Sequence, residues 1–112
     1  MATEARLASG LWVAAYLARL GAAFIPAYVT RRGDATSGAV LVKAAHLDGT
    51  ARAHVRRYDF ASDSRRWEAL AEGPEAEIDA LIAREAKADP DLWVIEIETR
   101  DGQTLLDQEG LA

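Results

Sequence analysis

The chain has 112 residues, half of them apolar and 28% charged, the composition of one globular domain over residues 1–112 with a modest core. It has no cysteine, which excludes disulfides and thiolate metal centres. The net charge of −5 is uneven, with +4 over residues 30–67 and −10 over residues 68–112, a polarity that can steer partners without setting the fold.

No run of about 18 uncharged apolar residues is present to span a membrane. The nearest approach, Leu7 to Ile25, is interrupted by Arg19, and the opening Met1-Ala2-Thr3-Glu4 puts an acid where a secretory signal wants bases. The expectation is a cytoplasmic protein without membrane contact.

Ser9 to Ala22 reads as a helix, with Ser9 as N-cap and Leu11, Ala15, Ala18 and Ala22 at helical spacing. Val13, Leu17 and Leu20 add a second apolar row, Trp12 and Tyr16 widen it, and Arg19 is the one charge. Phe24 to Arg32 reads as a strand with Pro26 near its start, and residues 33–38 as a loop. Ala39 to Leu47 and Ala51 to Tyr58 form a hairpin turning at Asp48-Gly49, the favoured pair for a two-residue turn. That turn sets Val42 opposite Val55, Ala44 opposite Ala53, Lys43 opposite His54 and Leu41 opposite Arg56. Arg65 to Ala71 is a short strand or a helical turn. Gly73-Pro74 opens a second helix, Pro74 to Ala88, with Pro74 at its first position and Ile78, Leu81 and Ile82 as its apolar stripe.

Pro90 ends that helix, and Leu92 to Glu98 is the most apolar strand, with Trp93, Ile95 and Ile97 on one face and Leu92, Val94, Glu96 and Glu98 on the other. Thr104 to Leu111 is a tail. The order is α-β-β-β-(β)-α-β. This is an α+β domain, with a mostly antiparallel sheet of four to five strands and both helices on one face in a two-layer arrangement.

Three runs, GAVLVK at 38–43, EIDALIARE at 77–85 and DPDLWVIEIE at 89–98, resemble a small alphaproteobacterial family, the domain of unknown function numbered 1491. The helix LWVAAYLARL at 11–20 and the RRGD before Gly38 fit the same layout, so the resemblance covers nearly the whole chain. It implies a compact α+β protein and brings no known catalytic residue.

The outer hairpin face groups Lys43, Arg52, His54 and Arg56 into a candidate anion-binding patch, with Arg31, Arg32, Arg65 and Arg66 on neighbouring strands and Tyr58 as a stacking ring. The acidic C-terminal half offers these bases carboxylate partners, and the acidic total favours that pairing over nucleic acid. In this register His46 and His54 point to opposite faces and share no metal, so no structural metal is expected. Glu96 and Glu98 lie about 7 Å apart along one strand face; such pairs serve acid–base chemistry or bind Mg²⁺, but at a strand end they are more simply a solvated face. With no dinucleotide fingerprint, P-loop, EF-hand or zinc spacing, no cofactor and no catalytic set are expected.

The function is therefore not legible. The leading reading is a non-enzymatic interaction or assembly domain that meets a protein partner or a second copy through Trp12 and Tyr16. The alternative is a nucleotide- or nucleic-acid-binding module using the basic face, with an enzyme third. A competing account of Trp12 and Tyr16 is that the tail folds over them through Leu105, Leu106 and Leu111.

Overall fold

A computed structural model describes residues 7–59, 61, 64–108 and 110–111. Seven elements follow in order: α1 (Ser9–Ala22), β1 (Ala27–Arg31), β2 (Val40–Ala45), β3 (Thr50–Asp59), β4 (Ser64–Pro74), α2 (Glu75–Ala88) and β5 (Trp93–Glu98). They build one five-stranded sheet in the order β1-β5-β2-β3-β4, antiparallel except for the parallel β2–β5 pair. The α+β class and the element order match the expectation.

The placement of the helices differs from it. Successive strand residues face opposite ways, and β2 and β5 are buried along nearly their whole length. One face carries Val40, Val42, Ala44, Trp93, Ile95 and Ile97, packed with Trp12, Val13, Tyr16 and Leu20 of α1. The other carries Leu41, Ala51, Ala53, Val55, Leu92 and Val94, packed with Ile78 of α2 and flanked by Leu81, Ile82 and Ala86. A helix on each face follows, because two apolar sheet faces need two covers.

The start of α1 is also built differently. Ala8 is the N-cap and makes no side-chain cap bond. The 33–38 loop caps the helix through its backbone instead. Ser9 N–H donates to Thr36 O at 3.2 Å and Gly10 N–H to Ala35 O at 2.8 Å, satisfying donors that a helix start leaves orphaned. Ser9 is inside the helix, and its buried hydroxyl donates to Gly38 O at 2.6 Å. The loop in turn holds β5: Asp34 N–H donates to Asp91 O at 3.0 Å, and Trp93 Nε1 to Asp34 O at 2.8 Å. A Cβ at Gly33 or Gly38 would collide with Asp91 O, so the close approach requires glycine at both.

β1 is shorter than expected, because Phe24, at φ 60°, belongs to the turn that closes α1. Residues 65–71 are strand, within a β4 that runs to Pro74; Pro74 is the N-cap of α2, not its first residue.

The hairpin register is shifted by one residue. β2 and β3 pair Val40 with Arg56, Leu41 with Val55, Val42 with His54, Lys43 with Ala53 and Ala44 with Arg52. His46 N–H donates to Thr50 O at 3.0 Å, so three residues turn the chain, with Leu47 at φ 64° and Gly49 at φ 92°. Asp48 stabilises this turn by accepting from Thr50 N at 2.9 Å and Thr50 Oγ1 at 2.6 Å.

Trp93 is 4% exposed beneath α1. Trp93→Ala is expected to cost about 3–5 kcal/mol, as large aromatic truncations in cores do. Urea melts of the two proteins measure it, and a loss below about 1 kcal/mol would contradict the burial.

Candidate functional site

The shifted register redistributes the basic residues. Lys43 leaves the patch altogether, for it lies on the α2 face, 4% exposed. Its Nζ is 2.6 Å from Glu75 Oε2, 2.8 Å from Asp79 Oδ1 and 3.3 Å from Glu96 Oε1. Burial alone would push the ammonium pKa down; hydrogen bonds to Asp79 and Glu75 and the attraction of Glu96 outweigh it and raise the pKa. Glu96 therefore serves Lys43, and it is not part of a wholly solvated acidic face.

Arg56, 5% exposed, lies on the α1 face with its guanidinium carbon 4.5 Å from the centre of the Trp12 ring. Arg52 and His54 share that face farther along β3, so the four candidate anion-binding residues do not form one surface. The side chains of Tyr58 and Arg65 lie outside the described residues.

Trp12 and Tyr16 are 2% and 0% exposed, covered by the chain's own tail. Tyr16 OH donates to Thr104 O at 2.8 Å. Trp12 Nε1 and Trp67 Nε1 both donate to Leu111 O, at 3.3 and 3.0 Å. Leu105, Leu106 and Leu111 join the same cluster. This is the competing account of that helix side, and it leaves these two residues no area for a partner.

The register also reverses the expectation for the histidines. His46 and His54 line one cleft of about 450 Å³ with Thr50, Arg52, Glu72, Arg100 and Asp101. Arg52 of β3 lies opposite Glu72 of β4, with Arg52 Nη2 3.2 Å from Glu72 Oε1. His46 Nδ1 is 3.3 Å from Thr99 O; a carbonyl only accepts, so Nδ1 carries the proton. His46 Nε2 then points at Glu72 Oε2, 3.5 Å away, and is buried with no hydrogen-bond partner. Burial first, and then the charge of Arg52, hold the His54 pKa below its ordinary value, so its ring is neutral at pH 7.

The argument that the histidines diverge from any common metal thus fails, although among the described residues no three ligand-type side chains group closely enough to hold an ion. Glu72, Arg100 and Asp101 escaped the sequence reading. Only the correct register brings Glu72 and the turn after β5 to the histidines.

The open edge of β1 is the second candidate. Glu98 N–H donates to Pro26 O at 3.0 Å, and Ala27, Tyr28 and Val29 pair with Ile97, Glu96 and Ile95. In an antiparallel ladder this alternation turns the backbone groups of Ala27 and Val29 outward. Beside them Tyr28 is 52% and Val29 40% exposed, and Phe24 is 93% exposed.

Residues 7–107 match the family model for a protein of unknown function, DUF1491. The chain belongs to the DUF1491 family. A crystal structure of a DUF1491 protein from Caulobacter crescentus is similar at 40% identity and a TM-score of 0.79, covering 91% of this chain and 94% of that one. The solution structure of protein Atu0922 from A. tumefaciens is similar at 37% identity and a TM-score of 0.75, covering 90% and 92%. The comparison with curated proteins yields no match. Membership of DUF1491 indicates no specific function, and no helix among the described residues is long and apolar enough to cross a membrane.

Lys43→Met is expected to destabilise this DUF1491 chain by about 1–3 kcal/mol, less than a fully buried pair because the acids are partly solvated. The pKa of Lys43 is raised by folding, so its contribution is complete below about pH 10.5, the ordinary lysine value, and is lost as pH rises through the raised one. Urea melts on an alkaline pH series should show this loss in the parent and not in Lys43→Met.

Proposed function

We propose that the chain is a non-enzymatic assembly domain of the cytoplasm that docks a second copy of itself through the open edge of β1. One observation carries the reading: the edge from Ala27 to Thr30 is uncharged and has half-exposed apolar side chains. Edge strands are normally guarded against pairing. The opposite edge, β4, is guarded, with exposed Arg66, Glu68 and Glu72 and a register irregularity opposite Ala53 and His54. On β1 the guards stand only at the ends, as Pro26 before it and as the irregularity between Val29 and Arg31.

Two copies fit antiparallel about a two-fold axis at Tyr28. Ala27 of each copy then exchanges hydrogen bonds with Val29 of the other, and the two Tyr28 rings lie across from one another, a favourable cross-strand pair. Arg31 and Arg32 fall at opposite ends of the joint, whereas a parallel pairing would set like charges side by side. The short edge implies a weak, concentration-dependent dimer at the low end of interface sizes. The cytoplasmic placement belongs to the same reading, since a chain without cysteine has no disulfide for a reducing compartment to undo.

Sedimentation equilibrium over a concentration series is the test. The parent should associate reversibly. Tyr28→Lys, which opposes two charges at the axis, and Val29→Pro, which removes an outward N–H, should both remain monomeric with unchanged circular dichroism. A parent that stays monomeric at high micromolar concentration would overturn the reading.

A further inference from the structure

The turn between α1 and β1 carries a side chain that strand pairing alone does not explain. Phe24 is 93% exposed and sits at φ 60°. Its N–H donates to Gly21 O at 3.1 Å and the Ile25 N–H to Leu20 O at 2.9 Å, so the end of α1 fixes this turn. A left-handed backbone is strained for a bulky side chain, and glycine or asparagine would occupy it at lower cost. At 93% exposure the ring gains almost nothing from its own chain in return.

Antiparallel pairing about Tyr28 gives the ring a neighbour. With Ala27 of one copy opposite Val29 of the other, the residues before β1 in one copy meet those after β1 in the other. Phe24 of each copy therefore falls at the same end of the joint as Arg31 and Arg32 of the other. Arg31 is engaged, its Nη1 donating to Pro90 O and Leu92 O. Arg32 is exposed, with its guanidinium carbon 5.7 Å from the centre of the Trp93 ring. Trp93 is buried, so this guanidinium lies between the ring and solvent and is open on its outer side. Trp93 belongs to the sheet face that α1 covers, and Phe24 closes α1, so both halves of the contact lie on one side of the sheet. A guanidinium stacks on aromatic rings and is attracted by their electron-rich faces.

We infer that Phe24 anchors the self-association: in a dimer paired along β1, the Phe24 ring of each copy packs on the Arg32 guanidinium of the other. The contact depends on the β1 pairing proposed above and adds the side chains that hold its ends. The two-fold axis makes it twice, on either side of a joint whose middle has only the backbone bonds of Ala27 and Val29 and the Tyr28 pair. It also selects the partner. A strand without a cation four residues beyond its centre could pair with the β1 backbone but would leave Phe24 in water, whereas residues 24–32 of a second copy hold both halves.

Sedimentation equilibrium of the full-length parent, Phe24→Gly, Arg32→Ser and the double variant is the test, beside thermal melts at concentrations where every chain is monomeric. Glycine relieves the left-handed strain. Phe24→Gly should therefore melt no lower than the parent and yet dimerise about tenfold more weakly. Arg32→Ser should weaken the dimer by about as much, and the double variant by little more than either single one, as residues in direct contact do. Phe24→Tyr should keep the parent's dimer constant. If the parent dimerises and either single variant matches it, or the two losses are additive, the Phe24–Arg32 contact is overturned while the β1 pairing stands. A parent that is strictly monomeric overturns both.

Discussion

The structure depends on where its last strand goes. β5 enters between β1 and β2, parallel to β2 and antiparallel to β1. Among the described residues β1 pairs with no other strand, so this edge of the sheet forms only once β5 is in place. β2 and β5, side by side in the middle, are apolar on both faces and demand cover on both. α1 and α2 supply it, one to a face. The 33–38 loop ties these demands together: it caps α1 with its carbonyls and meets Asp91 and Trp93 at the start of β5.

Into the middle of this sheet the chain places a lysine. An ammonium buried alone would be costly. Lys43 is tolerated because three carboxylates converge on it, Glu75 and Asp79 from α2 and Glu96 from β5. The arrangement fixes more than charge. Glu75 and Asp79 are one helical turn apart on α2, so both reach Lys43 and the ion cluster ties that helix to β2. The excess of acids after residue 67 is thereby partly explained as provision for an internal base.

Element types and order were legible because each segment carried its own periodicity and breakers: the apolar rows of α1, Pro74 and Pro90 around α2, and the β-branched run of β5. The hairpin register was not. Asp48-Gly49 suggests a two-residue turn, yet Leu47 adopts positive φ and lengthens the turn by one. Alternation normally arbitrates between registers, because a one-residue slip exposes the core face. Here Leu41 to Ala45 is buried on both faces, so either register looked acceptable. That single slip separates Lys43 from Arg52 and His54 and brings His46 and His54 together. The basic patch therefore does not form, and the polar cleft follows from the observed pairing.

The same reasoning explains where the apolar surplus of α1 goes. A helix with one charge in 14 residues has more apolar surface than one sheet contact uses, and such surplus often marks a partner site. This chain uses it internally. The tail lays Leu105, Leu106 and Leu111 against Trp12 and Tyr16, and the Leu111 carbonyl accepts from the indoles of both Trp12 and Trp67. That shared acceptor satisfies one buried and one partly buried donor that would otherwise carry a desolvation cost, so the tail is held by polar as well as apolar contacts. With the α1 side closed in this way, the uncharged edge of β1 is left as the apolar surface whose backbone donors and acceptors are still open to pairing.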